Sequence, residues 1–392
     1  MPTYASRVQR IAPSATLTIN AKAAELKSQG YDVISLAAGE PDFPPPDHVL
    51  EAAQEAARQG MTKYTPVTGR PELLQAVLDY YAAMYSLSGS RDMAIVTNGG
   101  KQALFQLFQV LLDPGDEVLI PSPYWVSYPD MVQLNDGRPV AVPTYAESNF
   151  LLQPEDLEQR IGPSAKAIVL NTPSNPTGCH YSQPELDEIA SLALEKGLFI
   201  VADEIYDQLV YPPSAPSSVA KWLEQAPEQV AIVNGLSKSF AIPGWRVGYA
   251  LSHPALIKNL SKVQGQSTSN VCSLAQHAAL AALTGPYDFL ETSRQRFKKR
   301  RDAALEKISG WKRAFCPKPD GAFYLFPKMD GYYTKAIPDS TALCTYLLEQ
   351  AGVALVPGAA FGDDSCVRLS YAAEDSVLLE ALDKIGEALD RI

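Results

Sequence analysis

Short apolar runs recur from Ala94 onward: Ala94–Val96, Glu117–Ile120, Ala167–Leu170, Leu198–Ala202 and Val230–Val233, with a sixth at Val247–Leu251. Each has the length of a buried strand, and most are separated by segments with helical spacing, such as 101–112 and 183–196. Ser182-Gln183-Pro184-Glu185 opens the second of these with a capping box and an early proline. Strands alternating with helices predict an α/β fold with a largely parallel sheet and right-handed crossovers. Upstream, 14–29 predicts a helix closed at Gly30, 33–37 a strand and 47–59 a helix. The prolines between the last two, Pro41 and Pro44 to Pro46, suit neither helix nor central strand and mark a crossing between domains. Downstream, 271–283, 287–308, 339–351 and 375–390 read as helices, and 321–327, 353–357 and 367–371 as strands, making a smaller α/β domain. The basic stretch from Arg294 to Arg301 is expected to be a solvated face.

The length, 392 residues, implies two or three domains. A net charge of −11 argues against nucleic acid or an anionic membrane as partner. The five cysteines show no Cys-x-x-Cys spacing and read as reduced thiols of a cytosolic protein. The stretch from Met1 to Arg7 has no signal-peptide apolar core, and no apolar run is long enough to span a bilayer. The four histidines are scattered without metal-ligand spacing, and no Gly-x-Gly-x-x-Gly or Walker loop occurs.

In sheets of this kind ligands gather at the carboxyl ends of the strands. Thr97-Asn98-Gly99-Gly100-Lys101 follows the first strand into a helix, either as a phosphate seat or as a tight turn. Trp125 follows the second, able to stack on an aromatic ligand or simply to fill core. Asn175-Pro176-Thr177-Gly178 follows the third, a rigid turn that fixes the Asn175 amide. Asp203 ends the fourth, with Tyr206 three residues on. A carboxylate there needs a cation, which a protonated pyridine nitrogen would supply, or else it caps a helix. After the fifth run, Gly235 to Gly248 carries Ser237, Lys238 and Arg246 in a glycine-bracketed loop. A lysine held beside packed strands loses its proton readily, as Schiff-base chemistry requires, and the serine and arginine suit a phosphate. Read alone, these are equally solvated turn residues. Arg368, inside the apolar strand Cys366 to Tyr371, needs an anion.

In their order from Gly39 to Arg246, these segments together resemble the class I and II aminotransferases, which carry pyridoxal 5'-phosphate on a lysine (fold type I). Gly99–Phe105 and Pro123–Tyr128 are similar to the bacterial aspartate aminotransferases, some of which also, or instead, transaminate prephenate. The resemblance implies a cofactor-binding large domain over 45–283, with a mostly parallel seven-stranded sheet between helices, and a small α/β domain built from 1–44 and 284–392. Lys238 would be the Schiff-base lysine and proton shuttle, and Asp203 would keep the ring nitrogen protonated. Tyr206 and Asn175 would bond the ring oxygen, with Trp125 on the ring face. Gly99, Gly100, Lys101, Ser237 and Arg246 would hold the phosphate. Tyr64 would reach the neighbouring subunit's phosphate, making a homodimer with shared sites. Gly39, Trp125, Asn175 and Arg368 would receive the substrate, Arg368 forking its α-carboxylate. The implied reaction is cytoplasmic transamination between aspartate or glutamate and a 2-oxo acid. Prephenate transamination and a lyase on the same fold are the alternatives. One departure stands out: no arginine lies between Val247 and Ser293, where another aspartate aminotransferase subgroup keeps a partner-subunit arginine for the distal carboxylate. The Lys101 side chain, a cation that opposes its helix dipole, is the candidate to replace it.

Overall fold

The structure is a computed structural model that describes residues 4–13 and 15–392. Position 14 of the expected first helix lies outside the described residues, and the helix itself runs Ala15–Ser28. Strand β1 (Ile34–Ser35) comes next. Then come the seven strands of the main sheet: β2 (Ala94–Thr97), β3 (Glu117–Ser122), β4 (Arg138–Pro143), β5 (Ala165–Asn171), β6 (Phe199–Asp203), β7 (Val230–Gly235) and β8 (Gly248–Ser252). Their order is β2-β8-β7-β6-β5-β3-β4, parallel throughout except for β8, which runs antiparallel to both neighbours. Every residue of β2, β7 and β8 is buried, because helices cover both faces and neither face can carry polar side chains cheaply. Helices Pro71–Tyr85, Gln183–Glu195 and Ser273–Thr284 pack on one face; Gly100–Leu111, Ser127–Leu134 and Pro254–Ser267 pack on the other. The Gln183 helix opens as expected, the Glu185 carboxylate accepting from the Ser182 N–H at 2.8 Å.

β4 has no counterpart among the expected strands. It pairs along its whole length with β3, but as an edge strand it has one neighbour, a proline near each end and a single buried residue, Val142. The apolar run Val140–Val142 is as long as Ala94–Val96, but a proline on either side speaks against a strand anywhere except a sheet edge, which is where it lies.

The second body holds β9 (Tyr324–Leu325), β10 (Val353–Ala354), β11 (Val356–Pro357) and β12 (Val367–Ser370). β12 lies between β11 and β9, antiparallel to both, while β1 pairs in parallel with β10. The N-terminal strand thus joins the C-terminal body, which carries its own core around Phe297, Phe323 and Leu369.

The expected solvated face at Arg294–Arg301 needs correction. Arg300 and Arg301 of the helix Asp288–Ser309 are buried. Arg300 forks Asp42 at 2.6 and 2.9 Å and bonds Asp375 at 2.8 Å. Arg301 donates to Asp302 and to the Pro319 carbonyl. Basic side chains in a row look solvated until acids from distant segments, here 75 and 258 residues away, fold onto them.

Candidate active site

The chemistry-bearing residues converge on one cavity of about 350 Å³ at the carboxyl edge of the main sheet. The size suits a small cofactor with its substrate. β7 ends at Gly235, and its connection to β8 carries Ser237, Lys238 and Arg246; the loop is closed by the Leu236 N–H on the Val247 carbonyl. Because β8 runs antiparallel, its first residue lies opposite both Gly235 and Thr97, which brings Arg246 beside the start of the helix Gly100–Leu111.

That helix start is built to meet an anion. Gly99 precedes it at φ +79°, and a Cβ there would lie 2.4 Å from Arg246 Nη2. Glycine is therefore required twice over, for the backbone angle and for the guanidinium that crosses it. Arg246 is held by the Pro243 carbonyl at 2.8 Å and the Asn98 carbonyl at 3.3 Å. Helix N–H groups, the Ser237 hydroxyl and this fixed cation are a donor set for phosphate.

Lys238 Nζ donates to the Gly39 carbonyl at 2.7 Å. Burial lowers its pKa to about 8; Arg246 and Arg368 push the same way, while Glu40 and Asp203 oppose. A useful fraction of neutral amine is thus present near neutral pH. Asp203, 4% exposed, accepts from the Tyr128 hydroxyl at 2.6 Å and the Ile205 N–H at 3.2 Å. Burial pushes its pKa up to about 6 despite those donors. A carboxylate so placed is stabilised by a cationic N–H entering the cavity.

Arg368 is 2% exposed. Nη1 donates to Asn175 Oδ1 at 3.0 Å and Nη2 to the Ala37 carbonyl at 2.8 Å, but Nε has no partner. The guanidinium lies over the Tyr324 and Phe361 rings, 4.7 and 5.0 Å from their centroids. No carboxylate among the described residues pairs with it, so this buried cation awaits an external anion. Asn175 is itself held by the Asn171 carboxamide oxygen at 2.9 Å.

Trp125 sits edge-on to Tyr128 at the cavity wall, and Lys101 Nζ lies 4.9 Å from the indole. Of the residues singled out from sequence, Gly39, Gly100, Lys101, Trp125, Asn175, Asp203, Tyr206, Ser237, Lys238, Arg246 and Arg368 line this one cavity. Gly99 stands just behind the wall, under Arg246. Tyr64 does not join them; in the single chain it is 91% exposed. Sequence reasoning missed Tyr128, Tyr324 and Asn171. Tyr128 closes the Pro123–Tyr128 stretch and Asn171 stands four residues before Asn175, so position near a motif was their only signal.

The set fits pyridoxal 5'-phosphate: an amine for its aldehyde, a buried carboxylate for its ring nitrogen, and a helix start with serine and arginine for its phosphate. A mostly parallel sheet with this constellation at its carboxyl edge defines a cofactor enzyme of fold type I. The family described as aminotransferase class I and II matches residues 31–385, and the chain belongs to it. It is an aminotransferase that works with pyridoxal phosphate. The aspartate/prephenate aminotransferase of Thermus thermophilus is 45% identical over 392 residues, 98% of each chain. The aspartate aminotransferase of Bacillus subtilis is 42% identical over 388 residues, 99% of each. Among solved structures, Thermus thermophilus aspartate aminotransferase with maleate superposes with a TM-score of 0.94 at 43% identity, covering 99% of this chain and 100% of that one. The enzyme from Rhizobium meliloti gives 0.96 at 40%, covering all of both.

Proposed function

We propose that this protein moves an amino group between an acidic amino acid, aspartate or glutamate, and a 2-oxo acid such as 2-oxoglutarate or oxaloacetate. The observation that carries the reading is the buried Arg368, its Nε free and no described carboxylate paired with it, in the same cavity as Lys238 and Asp203. The bound cofactor supplies an electron sink for charge developing at the substrate Cα. Lys238 would hold it through its amine and would move the proton at the substrate Cα. Asp203, oriented by Tyr128, keeps the ring nitrogen protonated, and Tyr206 with Asn175 bonds the ring oxygen. Trp125 covers the ring. Gly99, Gly100, the Lys101 backbone, Ser237 and Arg246 seat the phosphate, with Tyr64 from a second copy. Arg368 with Asn175 forks the α-carboxylate beneath Gly39. Residues 45–283 form the cofactor domain, and 1–44 with 284–392 the domain that closes on it, in a cytoplasmic homodimer.

The distal carboxylate is assigned to Lys101. Burial and Arg246 lower its pKa, Asp130 offsets them in part, and no described carboxylate lies within ion-pair distance. Lys101→Ala should lower kcat/KM for aspartate and glutamate by about 10- to 100-fold, the loss of one charge-assisted contact. Activity on uncharged amino acids should stay nearly constant. Steady-state kinetics on both substrate classes decide it: an equal loss for both would move Lys101 to the cofactor and remove the dicarboxylate assignment. Prephenate, another acid with a distal carboxylate, is the second reading. A flexible lysine tolerates acids of different length, and no arginine lies between Val247 and Ser293 to fix one.

A further inference from the structure

Glu204 directly follows Asp203 and has no role in the scheme so far. It is fully buried, and no lysine or arginine among the described residues pairs with it or with Asp207. A carboxyl group kept without a cation is costly, so its contacts matter. Its Oε1 accepts the Val219 N–H at 3.0 Å, and the Ser218 hydroxyl lies 2.8 and 2.9 Å from its two oxygens. Its Oε2 accepts the hydroxyl of Tyr81, a buried residue of the helix Pro71–Tyr85, at 3.0 Å. The Tyr81 oxygen in turn accepts from the Asn234 amide at 3.0 Å, and Asn234 Oδ1 accepts the Gly235 N–H at 2.7 Å. A chain of hydrogen bonds thus joins Glu204 to the last residue of β7, where the loop to Lys238 begins. We propose that Glu204 is a positioning residue that, through Tyr81 and Asn234, fixes the Gly235 turn from which Lys238 is presented and against which the phosphate seat packs. The inference rests on the placing of Lys238 and of that seat in the reading above.

The two ends of the chain set the direction of every bond. A backbone N–H can only donate, so Asn234 turns its oxygen to Gly235 and its NH2 to Tyr81. The Tyr81 oxygen accepts there, and its own proton goes on to Glu204. The Val219 N–H also only donates, so Glu204 is the acceptor at which donors from both sides meet. Burial pushes the Glu204 pKa up to about 8. The chain runs the same way with or without that proton, because the Ser218 hydroxyl can give a proton to Oε1 or take one from it. The Gly235 N–H needs this partner. β6 pairs with β7 only as far as Asp203 opposite Val233. The Leu236 N–H points to Val247, so that of Gly235 points the other way, where β6 has already ended. The Asn234 carboxamide stands in for the missing strand. Three backbones meet at this point: a Cβ on Gly235 would come 3.0 Å from Gly248 Cα, and one on Gly248 would come 2.4 Å from Gly100 N. A shift at Gly235 therefore reaches both Lys238 and the helix start assigned to the phosphate.

The experiment follows the rate at which the holoenzyme loses its cofactor on dilution, read from the visible absorbance, beside the Tm of each cofactor-free protein. Tyr81→Phe removes the middle link. Glu204→Gln keeps the shape, but the Val219 N–H claims its one oxygen and an NH2 then faces the Tyr81 hydroxyl. Each should speed cofactor loss by about 5- to 50-fold, the effect of one buried polar group left without its partner. In excess pyridoxal phosphate kcat should fall, while KM for the amino acid stays within about twofold. The two substitutions break one chain, so the double variant should lose cofactor no faster than the faster single one. Ser252→Ala is the control for a merely structural role. It removes a buried hydroxyl that donates to the Val230 carbonyl at the far end of the same two strands. It should lower Tm and leave the rate of cofactor loss at the wild-type value. Wild-type retention of cofactor in both Tyr81→Phe and Glu204→Gln overturns the proposal. So does strict additivity of the two, or a rate that follows Tm alike in all three variants. Failure of the underlying reading looks different: the wild type would show no visible band with added pyridoxal phosphate, or Lys238→Ala would keep it.

Discussion

At the scale of single residues, Lys238 is a cation the fold would be more stable without. Burial takes its pKa from 10.5 to about 8, so the folded state disfavours the proton that the unfolded chain readily holds. The destabilisation is complete below pH 8 and is relieved as pH rises from 8 towards 10.5, where the unfolded chain also gives up its proton. Lys238→Met should therefore make the cofactor-free protein more stable at pH 7, by about 1–3 kcal/mol, with the advantage fading towards pH 10. Thermal unfolding of both cofactor-free proteins across pH checks this. A methionine variant less stable at every pH would mean that the bond to the Gly39 carbonyl outweighs desolvation. The same pKa sets a rate: covalent capture of added pyridoxal phosphate by the wild type should accelerate as pH rises and level off above about 8, measurable by stopped-flow absorbance. A rate flat across that pH would place the titrating amine elsewhere. A site that holds an uncompensated lysine and an uncompensated arginine gives up stability for function.

At the scale of elements, the segment from Gly39 to Pro46 is both the cover of the cavity and the crossing between the two bodies. Its position is set by Asp42 in the fork of Arg300 and by Phe43 against Phe289 and Phe297, with Arg296 over the Phe43 ring. Arg300 also holds Asp375, whose pKa falls to about 2, chiefly through that bond and then through Lys299. A depressed carboxylate contributes stability that is whole above its unfolded pKa and is lost as pH falls towards 2. Arg300→Met should cost about 2–3 kcal/mol at pH 7, a buried ion triad broken but with partly solvated acids. Its Tm should also fall less between pH 5 and 3 than that of the wild type. KM should rise more than kcat falls, because the cover loosens while Lys238 and Asp203 stay in place. Calorimetry and steady-state kinetics test the pair of effects, and an unchanged KM would separate the triad from the cover.

These elements also show where the sequence was readable. The six buried strands that carry site residues or flank them announced themselves as apolar runs, and their carboxyl ends pointed to Asn175, Asp203 and Lys238. β4 was passed over because Pro139 and Pro143 flank its short apolar run, and prolines at both ends suit only an edge position. Tyr128 and Tyr324 were silent for another reason. Tyr128 had only its place at the end of the Pro123–Tyr128 stretch and Tyr324 had none, because their hydroxyls meet partners 75 and 118 residues away. The basic helix misled because the acids that bury Arg300 come from the far ends of the chain.

At the scale of the whole molecule, the loop around Tyr64 is the part that a single chain leaves unexplained. Its base is tied down: the Gln264 amide donates to the Val67 carbonyl at 2.7 Å, the Gln276 amide to Thr65 at 3.0 Å, and the Ser273 hydroxyl to the Met61 carbonyl at 2.5 Å. Yet Tyr64 projects 91% exposed and Met61 is 42% exposed. Buried amides spent on holding an aromatic ring in water make sense where a second surface receives it, and an isologous dimer would place each ring in its neighbour's phosphate seat. Mixing tests this without a structure of the dimer. Lys238→Ala subunits lack the amine, and Tyr64→Ala subunits lack the ring. If Tyr64 serves the partner, each mixed dimer has one site with both defects and one site with neither. After unfolding and refolding of an equal mixture, half the dimers are mixed and half their sites whole, so activity should recover to about one quarter of wild type. If Tyr64 serves its own chain, every site keeps one defect or the other, and the mixture should show only the average of the two parent activities. Mass spectrometry of the mixture establishes that mixed dimers formed. With them present, an activity no higher than that average would place Tyr64 outside the neighbour's site and take the shared-site homodimer with it.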